Sequence, residues 1–446
     1  MTHDPVAEAF AALQETRPLA GRRILILVEN LPLPFDRRVW QEARTLTAAG
    51  AEVEVICPKG RGFEADHEVL EGVRIHRHPL PVDASGALGY VREYGAALFH
   101  QARLAQEIYA ERPFDTVQAC NPPDLLFLIA RLFRRRGVRF IFDHHDICPE
   151  LYEAKFGKRD LFWRLMGRLE RASFAAADVS LATNESYARI ARERGGMAAE
   201  DVFVVRSGPD AGRLRPSAPN PDWRKGRDHL IGYVGVMGDQ EGLDLLLESA
   251  RILCLEQGRS VQFALVGGGP ALEGLRAQAE AMGLADHVTF AGRAPDTELF
   301  EVLSTADVCV NPDRVNPMND LSTMNKIMEY MAFERPIVQF EVTEGRVSAG
   351  EASLYAAPND PADMAAKLAQ LLEDAPARAR MGAFGRRRVV EELGWERQIE
   401  PLIAAYLRAA EKPAAAGSGA GTGTAGAGAA RAPAWQRGWE LGRERL

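Results

Sequence analysis

Short apolar runs alternate with amphipathic stretches along this chain, and the alternation runs twice. In the first half the apolar runs read RILILVEN, AEVEVICP, VRIHRHP, DTVQACNP, VRFIFDHHD, DVSLATN and VFVVRSG. In the second they read HLIGYVG, VQFALVGGG, HVTFAG, DVCVNP, RPIVQFE and ASLYAAP. Each is close to continuously apolar, which marks strands whose sheet is covered on both faces. Between them lie helical stretches such as RRVWQEARTLTAAG and GLDLLLESARILCLEQG, the second with apolar residues three and four apart. Repeated strand-then-helix order predicts parallel, doubly wound sheets, hence an α/β fold of two Rossmann-like domains facing a central cleft.

The pattern breaks in a Pro-, Gly- and charge-rich stretch at 208–228, read as a linker. The expected organisation is an extension at 1–21, a first domain at 22–207, the linker, and a second domain at 229–390. A closing amphipathic helix at 391–412 and an Ala/Gly-rich tail at 413–446, expected to be disordered, complete the chain. A length of 446 residues fits two or three domains. The net charge of −8 provides no field to recruit nucleic acid. The five cysteines stand far apart, mostly in apolar runs, which suits small buried hydrophobes in a reducing compartment. The first 23 residues have acids ahead of their basic residues and no apolar h-region, and no run approaches the roughly 18 apolar residues of a membrane span. The expected location is therefore cytoplasmic. Two basic segments, RLFRRRGVR (Arg131 to Arg139) and FWRLMGRLERASF, read either as solvated helix faces or as faces for anionic lipid at the inner side of a membrane.

Ligands of doubly wound folds bind beyond the carboxyl ends of the strands, so the loops there hold the candidate chemistry. After the first strand, ENLPLPFDRRVW places Asn30, Arg37 and Arg38 beside a helix start. An arginine there meets a phosphate or carboxylate, or else belongs to a solvated helix capped by Asp36. In FDHHDICPE, adjacent histidines on an extended segment point to opposite faces, which argues against a shared metal. His145, with Asp146 beside it, suits polar contact to substrate. Gly235 and Gly238, after the first strand of the second half, permit close approach of a phosphate. Neither that loop nor LVGGGP has the spacing of a dinucleotide fingerprint or P-loop. In NDLSTMNKIMEYM, Ser322 or Thr323 is expected to cap a helix whose amides face the cleft, with Ser322, Lys326 and Glu329 on one face. Lys326 is expected to meet a diphosphate and Glu329 sugar or ribose hydroxyls. The alternative is a local ion pair worth about 0.3–0.5 kcal/mol.

The ordered set DRRVWQEARTLTAAGAEVEVICP, HDICPE, VVRSGPD, YVGVMGDQEGLDLLLESA, FALVGGGP, VTFAGRAP, LSTADVCVNP and KIMEYMAFERPIV resembles the family 4 glycosyltransferases, over about residues 22–408. DRRVW, HDICPE and STMNKIMEYM further resemble a branch that builds bacterial surface polysaccharides. The resemblance implies a GT-B fold and retaining transfer from a nucleoside diphosphate sugar to a glycan or lipid-linked glycan, with no cofactor and no metal. It implies that Glu329 binds the nucleotide ribose and that His145 lies near sugar and acceptor. The family's first glutamate falls at Leu321, with Asp320 beside it, and its phosphate-loop cations fall among Met237, Gln240 and Glu241. Lys326 is then the main diphosphate cation, with Arg293 or a first-domain arginine assisting, and Asn325 next to it. The rivals are an epimerase of nucleotide sugars on a similar scaffold and a non-catalytic nucleotide-sugar binder.

Overall fold

The apolar runs become two sheets in a computed structural model that describes residues 5–80 and 86–413. The first sheet contains β1 (Arg23–Leu27), β2 (Glu52–Pro58), β3 (His67–Leu70), β4 (Val73–His78), β5 (Thr116–Cys120), β6 (Arg139–His144), β7 (Val179–Ala182) and β8 (Val202–Val204). Its order is β3-β4-β2-β1-β5-β6-β7-β8, parallel except where β3 runs antiparallel to β4. The second contains β9 (His229–Val234), β10 (Val261–Val266), β11 (Val288–Gly292), β12 (Val308–Asn311), β13 (Ile337–Phe340) and β14 (Ser353–Ala356), in the order β11-β10-β9-β12-β13-β14, all parallel. Both orders reverse beside the first strand of the sheet, which creates the crevice where such folds take ligands. The edge strand β3 was not among the apolar runs. HEVL alternates exposed and half-buried positions at a sheet edge, so it lacks the continuous apolar signal of a central strand.

Helices cover both faces of each sheet, and all five cysteines are buried and unpaired. On one face of the first sheet the helix Arg37–Ala48 packs with two pieces from the chain's ends. One is the helix Pro5–Thr16, inside the stretch read as an extension, which buries Val6 and Leu13 there. The other is the closing helix, Ile399–Glu411 in the structure, which buries Leu402, Ile403 and Tyr406 against the same core. The chain thus returns to its first half after completing its second. The stretch read as a linker is also packed: Ala211 and Leu214 are buried in the second half's core, and Arg386 donates to both their carbonyls. The tail expected to be disordered lies, beyond Pro413, outside the described residues.

Outgoing and returning segments run side by side. Trp395 N–H donates to Pro209 O at 3.0 Å, and a Cβ on Gly208 would sit 2.3 Å from Leu393 O, so only glycine fits that crossing. Trp395 itself is fully buried, with its indole N–H donating to Thr45 Oγ1 at 2.9 Å. Replacing it removes one of the largest buried side chains at the point where the two halves join. Trp395→Ala is expected to lower unfolding stability by about 3–5 kcal/mol. Thr45→Val, which leaves the indole N–H unpaired, is expected to cost about 1–3 kcal/mol. Urea unfolding followed by circular dichroism measures both.

Candidate functional site

The carboxyl ends of the two sheets face each other across a cavity of about 400 Å³. Its first wall includes Asn30, Asp36, Arg38, His145, Asp146 and Tyr187; its second includes Glu241, Asp313, Ser322, Asn325 and Lys326.

Asp36 caps the helix Arg37–Ala48 by accepting from Val39 N–H at 3.1 Å. Successive helical residues diverge by about 100°, so the two arginines part. Arg38 turns inward, its side chain only 7% exposed, and its Nη1 donates to Val205 O at 2.6 Å. Its Nη2 donates to Asp143 Oδ1 at 2.9 Å and lies 3.1 Å from Glu42 Oε1. Asp143, fully buried on β6, also accepts from Gln118 Nε2 at 2.9 Å. Nε2 of His145 sits 2.7 Å from Asp143 Oδ2 and 2.9 Å from Arg38 Nε. A nitrogen carrying its proton toward the carboxylate cannot also accept from the guanidinium, and the charges favour the carboxylate bond. Asn121 shapes the turn: its Oδ1 accepts from the N–H groups of His145 (2.6 Å) and Asp146 (3.1 Å), while its Nδ2 donates to Asp146 O at 2.6 Å.

On the second wall NPMNDL makes its own short helix, Pro317–Leu321, with Asn316 Oδ1 accepting from Met318 and Asn319 N–H at 2.9 Å each. The next helix therefore starts only at Asn325, and neither Ser322 nor Thr323 caps it. This corrects the capping read from the sequence. Ser322 Oγ instead donates to Met318 O at 2.7 Å and lies 2.9 Å from Tyr187 Oη, while Thr323 Oγ1 accepts from Asn184 Nδ2 at 3.0 Å. Both serve to join the two walls. The first turn of Asn325–Ala332 is left without a side-chain cap at the cavity.

Lys326 and Glu329 do not pair with each other. Lys326 Nζ donates to Asp313 Oδ1 at 2.7 Å and lies 5.0 Å from the centre of the Tyr233 ring, with 11% and 2% of the Lys and Asp side chains exposed. Glu329 faces Arg37 of the first half, 3.4 Å away, and Arg37 also reaches Asp296 at 3.3 Å. Asp320 lies away from the cavity lining and accepts from Thr343 N–H (2.8 Å) and Oγ1 (3.0 Å). Arg293 is exposed and packs beside Gly268. The amide of Gly235 donates to Val266 O at 3.0 Å and that of Gly238 to Glu241 Oε2 at 3.1 Å. The two glycine loops touch: a Cβ on Gly267 would sit 1.8 Å from Gly235 O. Asn30, Arg38, His145, Asp146, Ser322, Asn325 and Lys326 thus share one cavity, whereas Arg37, Glu329, Gly235, Gly238, Arg293 and Asp320 are outside its lining.

Sequence reasoning missed Asp143, Asp313 and Asn121, the partners that aim these groups. Asp143 was visible within FDHHD, Asn121 follows directly on β5, and Asp313 lies two residues past the end of β12. Cys120, Asp143 and His145 bring ligand atoms within 4.8 Å of one another. Arg38 already bonds there, and burial holds the Cys120 thiol well above its ordinary value, so a cation would have to displace both a fixed positive charge and a proton.

Burial and then Asp143 push Glu42 up to about 8, although Arg38 opposes this. Burial would raise Asp143 too, but Arg38 and His145 outweigh it and hold that carboxyl well below the usual range. His145 is lowered by burial and raised more by Asp143, so the imidazole stays above its ordinary value. Asp143 therefore keeps the charge and Glu42 the proton. A carboxyl raised from 4.5 to about 8 on folding binds a proton in the native state that the unfolded chain releases, so its contribution is full below pH 4.5 and is lost as pH rises toward 8. Glu29, pushed to about 8 by burial and then Glu93, acts with the same sign. Stability is expected to fall between about pH 4.5 and 8. Glu42→Gln should flatten that fall by up to about 1.4 kcal/mol per pH unit, read from urea unfolding across the range.

Comparison with known proteins follows the same two-part division. Residues 36–208 match the family model described as glycosyl transferase 4-like domain, and residues 228–374 the one described as glycosyl transferases group 1. The chain is 26% identical over 394 residues to the 2-deoxystreptamine glucosyltransferase of Streptomyces kanamyceticus, covering 84% of this chain and 99% of that protein. Sucrose-phosphate synthase from Thermosynechococcus elongatus superposes with a TM-score of 0.70 at 20% identity, over 87% of this chain and 98% of the other. HepE of Anabaena, solved in complex with UDP and glucose, superposes at 0.65 and 16% identity, over 86% and 99%. With one family match on each sheet, a relative aligned over nearly its whole length and the same two-sheet architecture in solved structures, this chain belongs to the glycosyltransferases of GT-B fold.

Proposed function

We propose that this protein transfers a sugar from a nucleoside diphosphate sugar to a hydroxyl of a glycan or lipid-linked glycan, with retention, in bacterial polysaccharide or glycoconjugate biosynthesis. The observation that carries the reading is the cavity between the two sheets, with charged Lys326 at an uncapped helix start on one wall and His145 held by Asp143 on the other. The likeness to a protein solved with UDP and glucose supports the donor class.

In this reading the diphosphate takes Lys326 Nζ from Asp313, whose buried carboxylate keeps the amine aimed at the cavity. The ribose takes Glu329 from Arg37. The bond from the anomeric carbon to the diphosphate oxygen breaks while the bond to the acceptor oxygen forms on the same face. The acceptor proton passes to the departing phosphate oxygen, so neither a protein nucleophile nor a metal is required. Negative charge grows on the leaving group, so Lys326 and the free amides of its helix act most strongly in the transition state. His145, lowered by burial but raised more by Asp143, offers a proton donor to the sugar or acceptor hydroxyl. Asp320 is committed to Thr343, which leaves sugar recognition to the turn at 322–325.

One observation favours a second reading, binding without turnover. Among the described residues Lys326 is the only cation lining the second wall, where Asp313 and Glu241 face it. Acceptor-dependent release of nucleotide from a panel of nucleoside diphosphate sugars separates the two. Transfer requires release that depends on acceptor; stabilisation of the fold by donor with no release across a broad acceptor panel would leave only binding. Under transfer, Lys326→Ala is expected to lower kcat by about 10²–10³-fold. Glu329→Ala should chiefly raise the donor KM, with kcat changed little. Steady-state kinetics on folded variants measures both.

A further inference from the structure

Two neighbouring helices on the first half expose arginines that have no carboxylate beside them. Helix Phe127–Phe133 and the turn Arg134–Arg136 present Leu128, Arg131, Leu132 and Arg135 to solvent. Helix Leu161–Ala176, packed against the first, presents Leu161, Arg164, Leu165, Arg168 and Arg171. Within each helix these residues recur three and four apart, so each set forms one stripe. Both helices bury their other faces in the same core, Phe127, Ile129 and Phe133 from one and Phe174 from the other, so the two stripes look outward together.

The composition of this face is unlike the rest of the surface. Of the twelve large apolar side chains exposed among the described residues, six lie here or at its edge, with Leu161 78% exposed and Leu132 50%. Exposed arginines elsewhere are either matched, as Arg103 is with Glu107 and Arg346 with Glu341, or stand apart from exposed leucines. The acids near the face are already committed: Glu153 pairs with Arg159, Asp160 caps the second helix, and Glu170 is buried against Arg194. A chain with net charge −8 thus concentrates unpaired positive charge where it also leaves leucines in water. Nucleic acid or a polyphosphate would satisfy the charge and leave the leucines wet. An anionic bilayer satisfies both, because leucines enter the acyl boundary while arginine stems lie along it and their heads reach lipid phosphates. No described helix is long and apolar enough to cross a membrane, so the contact is peripheral.

We propose that this face docks the protein on an anionic lipid bilayer and presents the cleft to an acceptor carried in that membrane. The path from cleft to face is short. Cavity residues His145 and Asp146 lead directly into helix Cys148–Phe156, whose nine residues span about 14 Å and end at exposed Phe156, just before Leu161. The acceptor's delivery rests on the transfer reading above; the docking does not.

The test is flotation of the full chain with vesicles of phosphatidylcholine alone and with about one-third phosphatidylglycerol. Binding is expected to the anionic vesicles only, and to weaken with salt. Each arginine removed should cost about fivefold in partitioning, so Arg164→Gln with Arg168→Gln should lose about 25-fold. Leu161→Ser with Leu165→Ser should weaken binding without changing its salt dependence, and Arg251→Gln should change nothing. Thermal unfolding confirms that each variant is folded. Equal binding to neutral vesicles, no binding to either, or insensitivity to both double variants would overturn the proposal. So would binding to polyglutamate in the absence of flotation, which would assign the face to an acidic protein. Transfer to a water-soluble acceptor without flotation removes the docking alone, while flotation without any transfer removes the transfer reading alone.

Discussion

The guanidinium of Arg38 has almost no route to water, and the first wall of the cleft is arranged around it. A buried charge is tolerated only when paired and hydrogen-bonded. Arg38 meets that demand with Asp143 from β6, Val205 O from the segment leaving the first sheet, and Glu42 one turn along its own helix. Asp143 in turn holds His145 at the cavity. Gln118 joins Asp143 and Glu42 and accepts from Tyr406, which belongs to the closing helix. The returning end of the chain thus supports the cleft from beneath, and the orientation of His145 depends on contacts spread from residue 38 to residue 406.

The second wall obeys the same rule with different parts. Lys326 is buried beside Asp313, and Glu241 lines the same cavity. Its positive charge is therefore held at a fixed place and partly neutralised until a ligand competes for it. Met318 and Leu321 of the second wall pack on the apolar cluster of Ile147, Ala182 and Tyr187, and the rest of the meeting is polar: Asn184 to Leu321 O, Tyr187 to Ser322, and Arg37 to Glu329. Such contacts can be exchanged for ligand contacts at small cost, which suits a cleft that closes on its substrate.

The apolar runs and their order made the two sheets legible, because a strand covered on both faces has no choice but to be apolar throughout. The edge strand β3 escaped because one of its sides faces water. Arg38, His145 and Lys326 were legible as charged residues placed at strand ends or helix starts. Their partners were not, since Asp143, Asp313 and Asn121 carry no pattern that separates them from ordinary polar residues. The glycines of LVGGGP lack the spacing of a phosphate loop, and the structure needs them where two loops of the second sheet touch backbone to backbone.

Sequence alone determined what local chemistry dictates: the alternation of strand and helix, the Asp36 cap, the break at 208–228, and a helix carrying Lys326 and Glu329 behind a polar loop. Only the tertiary structure decided which way each charge points. Arg37 and Arg38 are adjacent in sequence, yet one bridges to Glu329 in the open and the other is sealed against Asp143. Ser322 and Thr323 read as caps, yet they join the two halves because a shorter helix forms ahead of them. A residue's type and spacing set which bonds it can make. Which bond it does make depends on the partner that folding brings within about 3 Å, and here those partners lie tens to hundreds of residues away.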